Sequence, residues 1–396
     1  MPTYPTYKLG EICIIERGGS PRPIKDYLTK DDNGLNWIKI GDATLSNKYI
    51  YTTAEKIKPE GLSKTRMVES GDLILSNSMS FGHPYIMRTS GCIHDGWVVF
   101  RLNKEIIDEE YLYNILNSNE VYAQFNHLAT GSTVKNLNID RIKEVVIPLP
   151  PLPTQQAIVA RIESLFAELD KAAEHLRTAQ KQIKTYRQAV LNHWLNNDDG
   201  KWEMVKLGEV AEMCLGKMLD KNKNKGTYQP YLRNVNVRWG GFDLDDLLEM
   251  KFEESEQDRY GIRKGDLIMC EGGEPGRCAI WNSDIPNMKI QKALHRIRLN
   301  DNVLNKYVYF LFVLYAQNGV LGKYFTGTTI KHLTGQSLKS VEFSLPPLAD
   351  QHRIVQEIES RLSQAEAAEA SIAEALKKTE ALRQSILKKA FSGELV

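Results

Sequence analysis

A stretch of about 43 residues without Pro or Gly, Thr154 to Asn196, sets the terms for the rest of the chain. Apolar or small side chains recur at Ile158, Ile162, Leu165, Leu169, Ala172, Leu176, Ala179, Ile183, Tyr186 and Val190. The steps alternate four and three, which is the seam of a coiled coil rather than the 3.6-residue face of a globular helix. At about 1.5 Å per residue such a helix is a rod of roughly 64 Å. A second copy runs from Asp350 to Phe391, displaced by about 196 residues, so that Ile354, Ile358 and Ile372 repeat Ile158, Ile162 and Leu176. Its seam is smaller, with Ala365, Ala368 and Ala375, and small residues let a bulkier helix approach. Repeats usually stack on repeats, so the two rods are expected to pack on each other. Thr154 and Asp350 are the expected N-caps.

The sequences between the rods repeat as well. YKLGEICII near Tyr7 returns as VKLGEVAEM near Val205, and GDLILSNSMSFG at Gly71 returns as GDLIMCEGGEPG at Gly265. TGSTVKNL at Thr130 returns as TGTTIKHL at Thr326, and each copy runs into a Pro cluster that stops a strand before its rod. Frames repeat well, while positions 43–70 and 237–260 share little, so one scaffold carries two different surfaces. The expected architecture is α+β, with two mixed α/β globules joined by two long antiparallel helices in a coiled coil, a pseudo-two-fold internal repeat. The expected boundaries are 1–152 and 198–348 for the globules, 153–197 and 349–396 for the rods. Equal antiparallel rods would put one globule at each end.

Composition excludes several classes. Hydrophobic content of 42% supports real cores, and no apolar run is long enough for a membrane span. The start, MPTYPTYKLGE, lacks the basic and apolar regions of a signal peptide. Five scattered cysteines without metal-ligand spacing fit a reduced, cytoplasmic chain. A net charge of +1 means that any nucleic-acid surface must be a local patch. There is no phosphate-binding loop ending in Lys-Ser or Lys-Thr, no His-Glu-x-x-His and no Cys-x-x-Cys. The Gly-rich EGGEPG reads as a turn, and Asp72 and Asp266, at equal repeat positions before a strand, read as turn or capping residues. A binding protein is expected, not an enzyme.

Taken together, these motifs resemble the specificity subunits of Type I restriction–modification systems over the whole chain. The resemblance rests on KLGE at Lys8 and Lys206, GDLI at Gly71 and Gly265, TGS/TT-x-x-K at Thr130 and Thr326, the helix entries PLPPLPTQQAIVARIE and SLPPLADQHRIVQEIE, and the ending LRQSILKKAFSGELV. It implies that each globule is a target recognition domain reading one half of a bipartite, asymmetric site on double-stranded DNA. The rods then act as a ruler, of at most about 19 base pairs at 3.4 Å each. They also dock two methyltransferase subunits, with restriction–translocase subunits joining the complex. S-adenosylmethionine, ATP and Mg belong to those partners, and none is expected in this chain. A non-catalytic scaffold whose two heads bind other proteins is the alternative, and salt-dependent duplex binding separates the two.

On that reading, residues that recur in both copies suit phosphates, and residues that diverge suit bases. Ser132, Thr133 and Lys135, with Thr328, Thr329 and Lys331, form a repeated hydroxyl-and-cation set. Lys39 aligns with Arg233, and Asp42 with Asn236, at the end of a strand. Asn77 and Ser78 are replaced by Glu271 and Gly272, and His94 and Asp95 by Gln291 and Lys292. Asn and Gln pair bidentately with adenine, and Lys or Arg with guanine. Arg161, Glu163, Arg187, Arg383 and Lys388, on the rods, are the candidates for partner subunits. Trp37, Trp97, Trp239 and Trp281 are expected in cores or groove walls.

Overall fold

The computed structural model describes residues 4–44, 48–77, 81–129, 137–196, 201–220 and 222–396. The chain divides into two compact units, residues 1–176 with 373–396, and residues 177–372.

In the first unit the apolar run after Gly71 forms the strand Leu73–Ser76, which pairs antiparallel with Trp97–Leu102. Both strands are buried on both faces. Leu73, Leu75, Val98 and Phe100 enter one core, and Ile74, Trp97 and Val99 enter another. Alternate side chains of a strand point to opposite faces, so a sheet covered on both sides reads as continuous apolar sequence. This sheet is five-stranded, and a second five-stranded sheet holds Leu35–Ile38 between Glu55–Ile57 and Gly91–Ile93. Asp108 caps the helix Glu109–Leu116 by accepting two backbone N–H groups at 3.0 Å. A second helix, Asn119–Leu128, starts afresh at Ser118, whose hydroxyl accepts the N–H of Val121.

The second unit repeats these elements with different trimmings. Leu267–Cys270 pairs with Leu294–Leu299, again between two cores. Thr227–Leu232 lies between Leu248–Phe252 and Lys289–Ile290 in a three-stranded sheet. The expected turn roles of the two aspartates are met in both units. Gly71 and Gly265 hold φ of +94° and +93°, a region open to Gly because it has no Cβ. Asp72 accepts the N–H of Glu69 at 2.8 Å and Asp266 that of Arg263 at 2.7 Å. Arg101 and Arg298 then clamp the two carboxylates from the neighbouring strand. The KLGE segments repeat too: the Lys8 and Lys206 N–H groups donate to Glu11 and Glu209, both at 2.8 Å.

The long helices are Leu152–Leu195 and Leu348–Ser392. They begin two residues before the expected caps, so Thr154 and Asp350 lie in the first turn. The carbonyl of Pro151 accepts the N–H of Thr154 at 2.9 Å and that of Gln155 at 3.0 Å, and Pro347 treats Asp350 and Gln351 alike. Pro is tolerated there because the first turn leaves its N–H positions without partners in any case. In each unit the two helical segments run antiparallel. Arg383 lies 4.7 Å over the Phe166 ring and pairs with Asp170 in the first unit. In the second, Arg187 pairs with Glu369 at 3.0 Å and Arg361 lies over Trp194. The buried face departs from the expected seam. Ala173 is buried in place of Ala172, Ala368 is exposed, and Tyr186 is 41% exposed. Near the ends a helix has two neighbours, the other helix and its globule. Val159 therefore joins Ile158 and Ile162 in the core, a wider face than a two-helix seam provides.

Candidate nucleic-acid interface

In the second unit, four chain crossings meet at the ends of strands. Thr227–Leu232 and Lys289–Ile290 run parallel, with Leu232 opposite Ile290, so Arg233 and Gln291 leave the sheet side by side. The N–H of Gln291 donates to the Leu232 carbonyl at 3.0 Å. Leu267–Cys270 ends at Glu271, whose N–H donates to Ala293 at 2.9 Å and whose carbonyl accepts the N–H of Leu333 at 2.8 Å. Leu333 in turn closes a small hairpin in which Thr326 and His332 exchange N–H···O bonds of 2.8 and 2.9 Å. Gly327 turns it at a φ of +89°, and Thr328, Thr329, Ile330 and Lys331 are all exposed at its tip. His295 supports the hairpin from below, its Nε2 lying 2.9 Å from the Leu333 carbonyl. Burial lowers the pKa of His295, so the ring is neutral at pH 7.

The side chains at this face differ in freedom. Arg233 bonds Asp246 at 2.6 Å, and its N–H is held by Asn236 at 2.9 Å. Asn236 is buried, and its amide donates to the Asp243 and Asp246 carbonyls at 3.0 and 3.1 Å. Its polar atoms are thus spent on shaping the loop that presents Arg233. Glu274 ties the Trp239 indole N–H at 2.8 Å to Arg277 at 2.7 Å, and Arg277 donates to the Asn234 carbonyl. Lys292 and Lys331 are exposed cations with no ion pair among the described residues, and the Gln291 side chain makes no hydrogen bond among them. Arg238 and Arg277 were not singled out in the sequence, and Trp239 was expected only in a core or groove wall, although an Arg-Trp pair inside a divergent stretch is a signal of a recognition surface.

The first unit builds the same face with other residues. Leu35–Ile38 and Gly91–Ile93 run parallel, with Ile38 opposite Ile93, so Lys39 and His94 leave side by side. Lys39 bonds Glu55 at 2.7 Å, and its N–H is held by Asp42 at 2.8 Å, the counterpart of the Arg233–Asn236 arrangement. His94 is packed between Trp37 and Trp97, with ring centroids 6.1 and 6.2 Å away. Burial lowers its pKa, the Asp95 carboxylate opposes that, and the Lys39 ammonium adds to it. A groove of about 700 Å³ is lined by Ser20, Arg22, Trp37, Lys39 and His94 among others. Asn77 takes the place of Glu271: its N–H donates to Gly96 at 3.0 Å and its carbonyl accepts from Leu137 at 3.2 Å. Its side chain is fully buried, and neither amide atom has a hydrogen-bond partner among the described residues. Ser78, Ser132, Thr133 and Lys135 lie outside the described residues.

The helix residues singled out for partners divide into two sets. Arg187 and Arg383 are occupied within their own units, by Glu369 and Asp170. Glu163 lies 3.5 Å from Lys48, while Arg161 and Lys388 are exposed without an ion pair among the described residues. Among those residues no group of His, Cys, Asp and Glu is arranged to hold a metal ion, and no helix is long and apolar enough to cross a membrane. All five cysteines are free thiols.

Known proteins share this organisation. The family described as Type I restriction modification DNA specificity domain matches residues 1–176 and 199–378. The EcoKI specificity subunit of Escherichia coli K12 is 24% identical over 403 residues, covering 94% of this chain and 86% of that protein. The StySPI specificity subunit of Salmonella potsdam is likewise 24% identical over 407 residues, with 94% and 86% covered. Among solved structures, a chain of a type I R-M system described for its complex assembly and conformational transition superposes with a TM-score of 0.77. It is 21% identical, and 100% of this chain and 99% of that one are covered. The HsdS subunit from Thermoanaerobacter tengcongensis gives 0.65 at 22% identity, with 100% and 98% covered.

Proposed function

The chain belongs to the family of Type I restriction modification DNA specificity domains, and we propose that each of its units reads one half of a bipartite DNA target through the strand-end face described above. One observation supports this reading most. Two units of one fold present equivalent positions on parallel strand ends, Lys39 beside His94 and Arg233 beside Gln291. The shared frame suits backbone contacts, and the differing side chains suit different base pairs.

In this reading Thr328, Thr329 and Lys331, with Ser132, Thr133 and Lys135 in the sequence copy, hold phosphates. Lys39, Arg233, Gln291 and Lys292 face base edges or the flanking backbone, and Asn236 positions Arg233. Asn77 lies at the position that Glu271 takes in the other unit, and Ser78 follows it in the sequence. The chain is a recognition component that assembles with other subunits. Two methyltransferase subunits supply S-adenosylmethionine chemistry, and restriction subunits supply ATP and Mg chemistry, in the cytoplasm. Of the helix residues singled out for those partners, Arg161 and Lys388 have no ion pair among the described residues, and Glu163 shares its carboxylate with Lys48.

The experiment is to reconstitute the chain with its methyltransferase and map the methylated adenines by sequencing. A split motif with two unlike halves and a fixed gap supports the reading. Methylation of a continuous or symmetric site, or indifference of the methyltransferase to the chain, refutes it.

A further inference from the structure

Ile330 is 66% exposed, at the tip of the hairpin that Thr326 and His332 close. Its neighbours are a polar set: Thr328, Thr329 and Lys331, all exposed. Nothing among the described residues of its own unit covers it, and an exposed β-branched apolar side chain gains nothing for folding. The hairpin is also tight, since a Cβ on Gly327 would lie 2.2 Å from the Ile330 carbonyl. The turn therefore closes only with Gly at this position. At the equivalent place in the first repeat, Val134 stands between Thr133 and Lys135. A β-branched aliphatic thus sits between Thr and Lys in both copies, whereas the strand-end positions differ between them.

Resting on the DNA reading above, we propose that Ile330 is an apolar wedge, pressed into a groove against the edge of a base step. The flanking hydroxyls and lysine hold the adjacent phosphates. Apolar side chains between base steps unstack them in part, and do so without reading a particular base pair. The Thr–aliphatic–Lys sequence recurs in both repeats while the strand-end readers differ, which suits a contact of this sequence-tolerant kind at Ile330. A contact to a thymine methyl would be base-specific instead.

The test uses the full chain and duplex DNA carrying 2-aminopurine at successive steps, with Ile330→Ser, Ile330→Val and Lys331→Ala. Ile330→Ser is expected to weaken binding about tenfold on every duplex, with the salt slope of the wild type, because an apolar contact releases no counterions. It also removes a local rise in 2-aminopurine fluorescence, which Ile330→Val retains. Because the side chain is exposed, an unchanged thermal transition identifies the variant as folded. Ile330→Ser binding like a wild type that itself binds DNA overturns the wedge alone, as does a loss confined to duplexes with thymine at one position. A wild type that shows no salt-dependent duplex binding overturns the DNA reading, and the wedge with it.

Discussion

Gln351 holds Leu304 in place: its Oε1 accepts the Leu304 N–H at 2.7 Å, while its Nε2 donates to the carbonyls of Asn302 and Pro346 at 3.0 and 2.8 Å. Gln155 does the same in the other unit, accepting from Asp108 and donating to Ile106 and Pro150. Both glutamines are fully buried one turn into a long helix. Each ties the start of that helix to the loop before a globule helix, and so fixes the angle between rod and globule within its unit. Replacing Gln351 by Met keeps the volume and leaves one N–H and two carbonyls without partners. The expected cost is about 3 kcal/mol. In a unit of this size that lowers the thermal midpoint by roughly 6 to 12 °C, read by calorimetry. A midpoint within about 2 °C of wild type would show that water replaces the amide.

That pair of glutamines also marks what a sequence conceals. The repeat, the two rods, the GD turns and the strands of the central sheets are legible because each depends on local spacing or on likeness to the other copy. Gln155 stands in plain view in TQQ, yet its partners at Ile106 and Asp108 lie nearly 50 positions away. The face itself is equally hidden. Trp37 and Cys92 are paired in parallel across an intervening 54 residues, and no periodicity says which strand neighbours which. Hence Lys39 and His94 emerge from the sequence as separate candidates and from the fold as neighbours. The first long helix starts ahead of its expected cap because Pro153 sits in its first turn, where Pro is accepted, and Leu348–Ser392 starts at the matching repeat position. Near the helix ends the buried face widens, with Val159 beside Ile158 and Ile162, because there a helix has two neighbours rather than one.

Two histidines, His295 buried and His94 half-buried, make stability depend on pH. Burial is the main cause that lowers the pKa of both His94 and His295, beneath the value that each has in the unfolded chain. The unfolded state therefore takes up protons first as pH falls. Stability is full above the unfolded value of about 6.5 and declines as pH falls below it, by at most about 1.4 kcal/mol per pH unit for each group. The denaturation midpoint should be lower at pH 5.5 than at pH 7.5. His295→Gln should flatten part of that slope, with the remainder due to other groups, His94 among them. A slope unchanged by His295→Gln would show that this ring does not stay neutral in the fold.

Phosphate contacts have a signature that base contacts lack. Lys331 is an exposed cation with no ion pair among the described residues, so its charge is available without breaking a bond. Lys331→Ala should weaken binding to specific and unrelated duplexes alike. It should also lower the slope of log K against log salt by about 1, measured by fluorescence anisotropy over a salt series. A loss confined to one target sequence would reassign Lys331 to base reading.

Gln291 tests the division of labour between the units. Its backbone is fixed by the Leu232 carbonyl, while its side chain is free among the described residues. Gln291→Ala should therefore leave folding intact and alter recognition. If its amide reads an adenine, losing that bidentate pair costs about 1 to 3 kcal/mol against the correct base, a relaxation of roughly 5- to 150-fold at one position. Methylation mapping of the reconstituted complex should show that relaxation in one half-site only, with the other half and the gap unchanged. His94, at the equivalent place, supplies the reciprocal experiment: His94→Ala should relax the opposite half. Both substitutions acting on the same half would mean that the two faces do not read separately, whatever their common fold.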